Sequence, residues 1–535
     1  MKRGQALAVA ALAVALAGGA FGDPAIVRVT LPAGSKAPLS GRLLLFARPL
    51  NGAKVATVRE VDAGFTPRGV AIAAQEVRGA APGSTIEVDA DLIAFPTAFS
   101  KLPAGAYAVQ AVLDVHHHYA YHRREAGDLV SPVTEMQLPA GGTLSLGMVL
   151  PEPSDPWTRP ASAPADEKVR FAAARADTHE IDFVSPSLSR FWGRPIHMRS
   201  WVVTPPGYAD HSRETWPTVY FTHGFGGGFR SLVDTAVYVH AAMADGSAPP
   251  MIWVLLDESG PAGTHEFADG VNNGPWGEAL TTELIPDLER HWRMDARASG
   301  RFLNGHSSGG WATLWLQTCY PSVFGGTWST SPDPSDFHDF TGIDLYAPGA
   351  NVYHRADGTP APLIHDHANV LATFEDFARQ EAVEGEVGGQ MASFDWVFSP
   401  RGADGRPEPM FDRVTGDVDP VVVAYWRDHY DIAWRVAHDW PALKHDLDGK
   451  IHLIVGTDDT FYLDGAAHRL KAVLDGLGVR SDFRFLPGRT HMDLYEVSGD
   501  YRGLLKAIAW EMYAVARPGA ARPVKPPAAG SVAAP

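Results

Sequence analysis

The chain has 535 residues, a formal net charge of −17 at pH 7 and a pI near 5.7. This acidic balance argues against nucleic acid or an anionic membrane surface as a partner. Hydrophobic residues make up 45% of the chain, which is enough for a large core and for two domains. Cys319 is the only cysteine, so no disulfide can form within the chain.

Residues 1–22 have the architecture of a secretory signal peptide. Lys2 and Arg3 precede an apolar run at residues 6–17, and small residues at positions 20 and 22 offer a cleavage site. The apolar run is too short to span a bilayer, although a short membrane anchor is the alternative. We therefore expect the mature protein to be exported, to the periplasm or the extracellular space, without membrane insertion.

Residues 24–150 are predicted to form an all-β domain. Segments such as AIVRVTL, GRLLLFAR and AYAVQAVLDV are short, rich in β-branched residues and separated by Pro, Gly and Asn. Helical periodicity is absent here, so we expect a β-sandwich-like fold. Residues 151–167 (PEPSDPWTRPASAPADE) are predicted to be a proline-rich linker.

The all-β region contains a histidine-rich segment, VHHHYAYHR, with His116, His117, His118 and His122. A metal site is one interpretation. The favoured interpretation is a polar strand edge or loop, because alternate residues of a strand face opposite ways and no carboxylate cluster is near. No metal site and no cofactor are therefore predicted.

From about residue 180, strands alternate with helices. TVYFT and MIWVLLD are continuous apolar runs typical of strands that are covered on both faces. Pro286 is expected to kink the helix in WGEALTTELIPDLERHW. This alternation predicts an α/β domain with a mostly parallel sheet at residues 168–516, interrupted by an insertion at about 332–446. Residues 517–535 are predicted to be a disordered tail.

The segment RFLNGHSSGGWATLWLQ suggests a nucleophile. It predicts a short strand, a tight turn at Gly305–Gly309 and a helix that stops before Pro321. A serine on such a turn, here Ser307, has its hydroxyl held above the sheet near the N-terminus of the helix. The Gly-x-Ser-x-Gly pattern alone is weak, and its strand–turn–helix context strengthens it.

A serine nucleophile needs a histidine and an orienting carboxylate, in the chain order Ser, Asp, His for this fold. Asp458 and Asp459 directly follow the predicted strand KIHLIVG, where catalytic groups of open α/β sheets collect. His491 lies in the loop after the predicted strand FRFLP. These positions make Asp458 or Asp459 the candidate acid and His491 the candidate base.

The strand TVYFT leads into His223-Gly224-Phe225-Gly226-Gly227, a loop of the kind that supplies an oxyanion-hole N–H. An ordinary glycine-rich connection is the alternative. A phosphate-binding loop is excluded, because neither of its glycine spacings occurs here and no lysine is near.

In this order, HGFGGG, NNGPWGEALTTELIPDLE, GHSSGG, VGTDD and PGRTH resemble the putative-esterase branch of the α/β-hydrolases, over roughly residues 180–510. That branch contains esterase D (S-formylglutathione hydrolase), enterochelin esterases, feruloyl and acetylxylan esterases, and mycolyltransferases. The resemblance implies a triad of Ser307, Asp459 and His491, with the N–H groups of Phe225 and Ser308 as the oxyanion hole. The Gly-Thr-x-Asp spacing favours Asp459 over Asp458.

The sequence departs from the simpler members by its all-β front domain and its long insertion. The insertion is expected to cap the active site. YWRDHYDIAW is predicted to be helical, with Trp426 and Trp434 either lining the substrate pocket or forming the core of a small subdomain. Because the triad lies downstream of the linker, a chain that starts near Lys168 is expected to fold and to cleave small esters.

The function predicted from sequence is an exported serine esterase that forms an acyl-enzyme, with a small-molecule or carbohydrate ester as its substrate. An acyltransferase or a secreted serine peptidase would use the same triad, and a non-enzymatic carbohydrate-binding protein is a further alternative. The sequence leaves the acyl group, the alcohol and the oligomeric state undetermined.

Overall fold

The structure, a computed structural model, describes residues 23–35 and 37–520. The predicted signal peptide and residues 521–535 of the predicted tail lie outside the described residues. Within the described residues, no helix is both long enough and apolar enough to cross a membrane.

The region before the predicted linker is built from two β-sheets. One sheet has the strand order β4-β1-β9, and the other has the order β10-β7-β6-β2-β3-β5 with β8 paired to β6. Side chains of both sheets share one apolar core, which includes Val27, Leu45 and Val109. The elements of this region are β1 (Ile26–Thr30), β2 (Leu39–Pro49), a 3-10 turn (Val55–Thr57), β3 (Ala71–Ala80), β4 (Thr85–Asp89), β5 (Ala94–Phe95), a 3-10 turn (Phe99–Lys101), β6 (Gly105–Asp114), the helical turn α1 (Tyr119–His122), β7 (Leu129–Val130), β8 (Thr134–Leu138), β9 (Gly142–Ser145) and β10 (Met148–Val149).

The downstream region contains an eight-stranded sheet with the order β11-β12-β14-β13-β19-β20-β23-β24. β12 pairs antiparallel with β11 and β14, and the remaining neighbours are parallel. The central strands are buried on both faces by helices, which explains their continuous apolar sequences. The strands are β11 (Thr178–Val184), β12 (His197–Val203), β13 (Thr218–Thr222), β14 (Ile252–Leu256), β15 (Ser259–Gly260), β16 (Gly263–Thr264), β17 (Asp269–Gly270), β18 (Gly274–Pro275), β19 (Arg301–His306), β20 (Gly326–Thr330), β21 (Pro362–Asp366) and β22 (Asn369–Thr373) of the insertion, β23 (Ile451–Gly456) and β24 (Ser481–Leu486).

The helices around this sheet follow the predicted alternation with local differences. The first of them begins at Ala165, inside the predicted linker. The helix with Pro286 contains a π-helical segment, Leu280–Leu284, directly before the turn that holds the proline. The helices are α2 (Ala165–Ala176), α3 (Pro186–Trp192), a 3-10 turn (Tyr208–Asp210), α4 (Leu232–Ala244), α5 (Trp276–Ala279), α6 (Ile285–His291), a 3-10 turn (Ala298–Gly300) and α7 (Ser308–Cys319), then a 3-10 turn (Phe337–Asp339), α8 (Phe374–Glu384), α9 (Gln390–Phe398), α10 (Pro420–Tyr430) and α11 (Ile432–Leu447) of the insertion, α12 (Leu463–Leu477) and α13 (Gly503–Ala516).

The prediction of one helix through YWRDHYDIAW is wrong, because the segment is split between α10 and α11. Asp431 has extended backbone angles, φ −71° and ψ 112°, and its carboxylate accepts a hydrogen bond from the N–H of Trp434 at 2.9 Å. An aspartate that caps a helix N-terminus favours a new start over continuation. Trp426 and Trp434 therefore lie on different helices.

The sheet that contains β2 packs directly on helix α8 of the insertion. Leu44 and Phe46 of β2 share a core with Val383 of α8. The buried Arg42 donates hydrogen bonds to the carbonyl oxygens of Val383 at 2.8 Å and of Ala382 at 3.1 Å. The two regions that the sequence separates by a linker are thus joined through the insertion.

Candidate active site

Ser307 lies on a sharp turn between β19 and α7. Its backbone has φ 60° and ψ −126°, a conformation that L-residues rarely adopt. A Cβ on Gly305 would lie 2.1 Å from the carbonyl oxygen of Gly309, and a Cβ on Gly309 would lie 2.3 Å from the carbonyl oxygen of His223. The glycines on either side of Ser307 are therefore required by close backbone contacts, as expected for a nucleophile on a strand–turn–helix junction.

His491 and Asp459 lie together beyond the carboxyl ends of β24 and β23. His491 Nδ1 is 2.9 Å from Asp459 Oδ2, and both side chains are buried. Burial opposes ionisation of Asp459, but the neighbouring His491 and its hydrogen bond outweigh it and lower the pKa of this carboxyl. An ionised Asp459 holds the proton on His491 Nδ1, which leaves Nε2 as the basic nitrogen.

Asp458, the other candidate acid, points elsewhere. Its carboxylate contacts the imidazole of His367 in the insertion and is partly exposed. Asp459 Oδ1 instead accepts a hydrogen bond from the N–H of Phe461 at 3.0 Å, which fixes the carboxylate next to His491. Of the two neighbouring acids, Asp459 is the one beside the histidine.

His306, the residue before Ser307, packs against His491 with ring centroids 4.4 Å apart. Burial, followed by repulsion from His491, lowers the pKa of His306 to about 3. The ring is therefore neutral and adds no charge next to His491. Phe461 packs edge-on against the same imidazole at 4.8 Å, so His491 is held between two rings.

The predicted oxyanion-hole donors lie on two loops that meet at Ser307. A Cβ built on Gly224 would lie 2.9 Å from the Cβ of Ser307, so the loop with Phe225 runs directly beside the serine. Ser308 is the first residue of α7, where the N–H has no acceptor within the helix. Within the described part of the chain, the N–H groups of Phe225 and Ser308 make no hydrogen bond. Both donors are free for a ligand.

Three buried carboxyl groups behind the turn were not anticipated from the sequence. Ser308 Oγ donates to Asp333 Oδ2 at 2.6 Å, and burial raises the pKa of Asp333 to about 6. Burial also raises the pKa of Glu258 to about 7 and that of Glu266 well above its ordinary value. Their position could have indicated two of them, since Asp333 and Glu258 follow β20 and β14 at the carboxyl edge of the sheet.

Ser307 and His491 open into one cavity of about 530 Å³. Its wall comes from three parts of the chain. The all-β region contributes Phe65 and Tyr121, and the insertion contributes Phe377 and Phe394. Tyr121 packs edge-on against Phe225 at 5.1 Å, and Phe65 lies 6.2 Å from the same ring. The wall is largely aromatic, and part of it lies upstream of the predicted linker.

The two tryptophans singled out in the insertion do not line this cavity. Trp426 is fully buried, packs on Phe398 at 5.1 Å, and donates from its Nε1 to Ser399 Oγ at 2.9 Å. Trp434 stacks on His438 at 4.8 Å. Of the two interpretations, pocket wall and subdomain core, the structure supports the core for Trp426. The insertion reaches the cavity through other aromatic residues.

A protein-family model described as "Putative esterase" matches residues 193–491, more than half of the chain. No curated protein matches the chain.

Solved structures of similar fold include a ferulic acid esterase, with 13% identity over 64% of this chain and 97% of its own, at a TM-score of 0.38. A fluorophosphonate-binding serine hydrolase F of Staphylococcus aureus has 12% identity over 63% and 98%, at 0.36. An S-formylglutathione hydrolase of Agrobacterium tumefaciens has 14% identity over 63% and 95%, at 0.36. Because the sequence identities and TM-scores are this low, the solved structures add no support to the family match.

The family match confirms the resemblance stated from the motifs, and the strand–helix alternation confirms the α/β class. The matched segment spans β13, the turn at Ser307 and the loop with His491. The chain belongs to the putative-esterase family and is a serine carboxylic-ester hydrolase.

Proposed function

We propose that this protein is an exported esterase whose catalytic triad is Ser307, His491 and Asp459. The observation that carries the proposal is the 2.9 Å contact between His491 Nδ1 and Asp459 Oδ2, at the cavity into which Ser307 also opens. His491 Nε2 takes the proton of Ser307 as its oxygen attacks the ester carbonyl, and later gives a proton to the leaving alcohol. Water then hydrolyses the acyl-enzyme.

The N–H groups of Phe225 and Ser308 stabilise the oxyanion of the tetrahedral intermediates. This role is supported by their lack of other acceptors and by the approach of the Gly224 backbone to Ser307. Donors that are already in place when negative charge develops lower the barrier without reorganisation. Asp333 holds the side chain of Ser308 and so positions one of the two donors.

The substrate is an ester with a bulky apolar group. A cavity of about 530 Å³ with Phe65, Tyr121, Phe377 and Phe394 in its wall suits such a group better than an acetyl group. The insertion acts as a cap, since it supplies part of this wall. A polar alcohol, such as a carbohydrate hydroxyl, would leave toward solvent.

A panel of p-nitrophenyl acetate, butyrate and octanoate, together with acylated sugars, tests the activity. We expect the wild-type chain to hydrolyse the longer p-nitrophenyl esters and Ser307→Ala to lose activity by about 10³-fold or more. Equal activity in both proteins would contradict the proposal. Products trapped by an added alcohol would identify an acyltransferase, and cleavage of peptide anilides but not esters would identify a peptidase.

Export is supported by the charged and apolar segments at residues 1–22, which lie outside the described residues. N-terminal sequencing of protein recovered outside the cytoplasm should give a start close to Asp23. Recovery of the chain with Met1 intact in the cytoplasmic fraction would contradict export.

A further inference from the structure

The histidine-rich segment lies in the connection between β6 and β7, which is the loop and not the strand edge of the sequence interpretation. Residues 119–122 form the helical turn α1, and His118 is its N-cap. This places His118 and His122 four residues apart on one side of the turn, with ring centroids 5.9 Å apart. The alternation that would have turned their side chains to opposite faces is absent.

The chain then brings a carboxylate back to the two histidines. Arg123 has φ 59° and ψ −132°, and this unusual backbone reverses the chain directly after α1. Glu125 Oε2 consequently lies 3.5 Å from His118 Nδ1. One ligand atom from each of His118, His122 and Glu125 lies within 4.8 Å of the others.

We propose that His118, His122 and Glu125 form a binding site for a divalent transition-metal ion of the zinc type. Two imidazole nitrogens and one carboxylate oxygen are a donor set that suits such ions, and three protein ligands leave a position open for water. The three residues also line a surface cavity of about 930 Å³, which gives an ion a path of entry.

The backbone that carries these ligands is held by two buried carboxylates that are not themselves ligands. The buried carboxylate of Asp128 accepts hydrogen bonds from the N–H groups of Val115 at 3.1 Å and Glu125 at 2.9 Å. The buried carboxylate of Asp114 accepts from the N–H of Tyr119 at 3.0 Å. Both ends of the segment are thus fixed by hydrogen bonds from backbone N–H groups to buried aspartates, so the backbone that carries the ligands needs little further ordering.

The other two histidines of the segment are already engaged. His116 Nε2 bonds to the carbonyl oxygen of Ala126 at 3.0 Å, and His117 Nε2 bonds to Glu76 Oε2 at 3.1 Å. The ring of His122, by contrast, makes no hydrogen bond within the described part of the chain. The ring nitrogens of His122, a residue of the proposed site, are therefore free to bind an ion.

Four arginines line this cavity, and carboxylates compensate two of them. Arg124 pairs with Glu60 at 3.1 Å, and Arg199 pairs with Glu180 at 3.1 Å. Their repulsion of a bound cation is correspondingly reduced.

A second His and Asp cluster, formed by Asp336, His338 and Asp431, is a poorer candidate. Asp336 pairs with Arg469 at 3.3 Å. Asp431 already accepts from Trp434 N–H and from Tyr346 Oη at 2.8 Å. Its carboxylates are thus bound to groups outside the cluster, whereas, among the described residues, the Glu125 carboxylate of the first cluster contacts only another residue of the proposed site, His118.

The site has a consequence for the catalytic cavity. Tyr121 lies on α1 next to His122, and its ring forms part of the cavity wall against Phe225. A metal ion bound on the outer side of α1 would therefore stiffen the wall on the inner side.

Isothermal titration of the untagged, EDTA-treated full chain with ZnCl₂ tests the proposal. We expect one zinc ion per chain and an upward shift of the melting temperature when zinc is added. His122→Ala and Glu125→Gln should each weaken the binding by about tenfold or more. The matched control is His117→Ala, a histidine of the same segment that bonds to Glu76, and it should bind zinc as the wild type does.

The metal-free melting temperature of each variant shows whether the fold is intact, and His122 is exposed, so we expect no change there. X-ray absorption at the zinc edge should report imidazole nitrogen and carboxylate oxygen as ligands. The proposal is overturned if the wild type binds no zinc, or if a folded His118→Ala/His122→Ala chain binds it with unchanged affinity and stoichiometry.

Discussion

The loops that carry the predicted triad are positioned by the topology of one sheet, whereas the wall of the cavity above them is assembled from distant parts of the chain. Ser307, Asp459 and His491 each lie in the connection that follows a strand of one sheet, so parallel topology brings them to the same edge. The cavity wall combines Phe65 and Tyr121 from the upstream sheets with aromatic residues of the insertion. No local pattern connects those parts.

The difference separates reactivity from selectivity. The loops of the predicted triad are specified by short motifs whose spacing is dictated by backbone geometry, as the close contacts of Gly305 and Gly309 illustrate. The wall is specified by long-range packing, including the hydrogen bond from Arg42 to Val383 that joins β2 to α8. Changes in the first region should affect all substrates, and changes in the second should affect some of them.

Removal of the upstream region should have the largest effect. A chain that begins at Lys168 lacks the sheet that covers α8 and exposes the apolar face around Val383. We expect it to be insoluble, or to melt without cooperativity and bind a hydrophobic dye. This reverses the expectation from sequence that this part folds and acts alone.

Calorimetry of the truncated chain decides the point. A cooperative transition, together with wild-type hydrolysis of long-chain esters, would mean that the catalytic cavity does not need its upstream wall.

The pair Asp459 and Asp458 should give the next largest effect. Asp459→Asn removes the charge that holds His491 in its tautomer, and kcat should fall by about 10³- to 10⁴-fold. Asp458→Asn is the matched control, since this neighbouring carboxylate contacts His367, and kcat should change by less than about tenfold. Steady-state kinetics on p-nitrophenyl butyrate measures both, and a reversed order would exclude Asp459 as the acid.

Truncation of the cavity wall should have a smaller, substrate-dependent effect. Tyr121→Ala removes an aromatic side chain that packs on Phe225, so kcat/KM for p-nitrophenyl octanoate should fall about tenfold relative to that for the acetate. Trp434→Ala is the control, because Trp434 stacks on His438 away from the cavity. If Tyr121→Ala lowers both rates equally at an unchanged melting temperature, the wall does not select substrates.

Glu258 should give the smallest effect, on stability. Burial raises its pKa from 4.5 to about 7, so the folded chain holds this proton more tightly than the unfolded chain does. The stability from this group is complete below about pH 4.5 and is lost as the pH rises through about 7. Glu258→Gln should therefore melt a few degrees higher than the wild type at pH 8, and the advantage should shrink at pH 5.

Differential scanning calorimetry at both pH values measures this shift, with the exposed Glu278→Gln as the control. The same pH dependence in the wild type and in Glu258→Gln would show that Glu258 is ionised in the fold.

Much of the fold could be predicted because apolar periodicity, and the Gly and Pro residues that end helices and strands, act locally. β13, β14, β19, β23 and β24 lie where apolar runs predict them, and Gly478 ends α12 in the left-handed conformation. Prediction from helical periodicity failed where a single residue interrupts the helix. Asp431 caps a new helix inside an apparently continuous apolar pattern. The histidine-rich segment lies in a loop, one of its two predicted forms, but the helical turn α1 inside that loop was not predicted.

The site divides in the same way. Ser307, Asp459 and His491 could be proposed from position, whereas the buried Asp333 and the ring of His306 acquire their roles only through packing. Trp426 could not be assigned from the sequence, because helically spaced aromatic residues occur both in pocket walls and in cores, and the structure buries it in the core.

Labelling with a fluorophosphonate probe, followed by peptide mapping, tests the central claim most directly. A serine activated by a neighbouring histidine reacts with such a probe, and an ordinary serine hydroxyl is inert. We predict one adduct per chain, on Ser307, and no adduct in a folded Ser307→Ala chain. An adduct on another serine, or labelling that persists in Ser307→Ala, would contradict the assignment of Ser307 as the nucleophile.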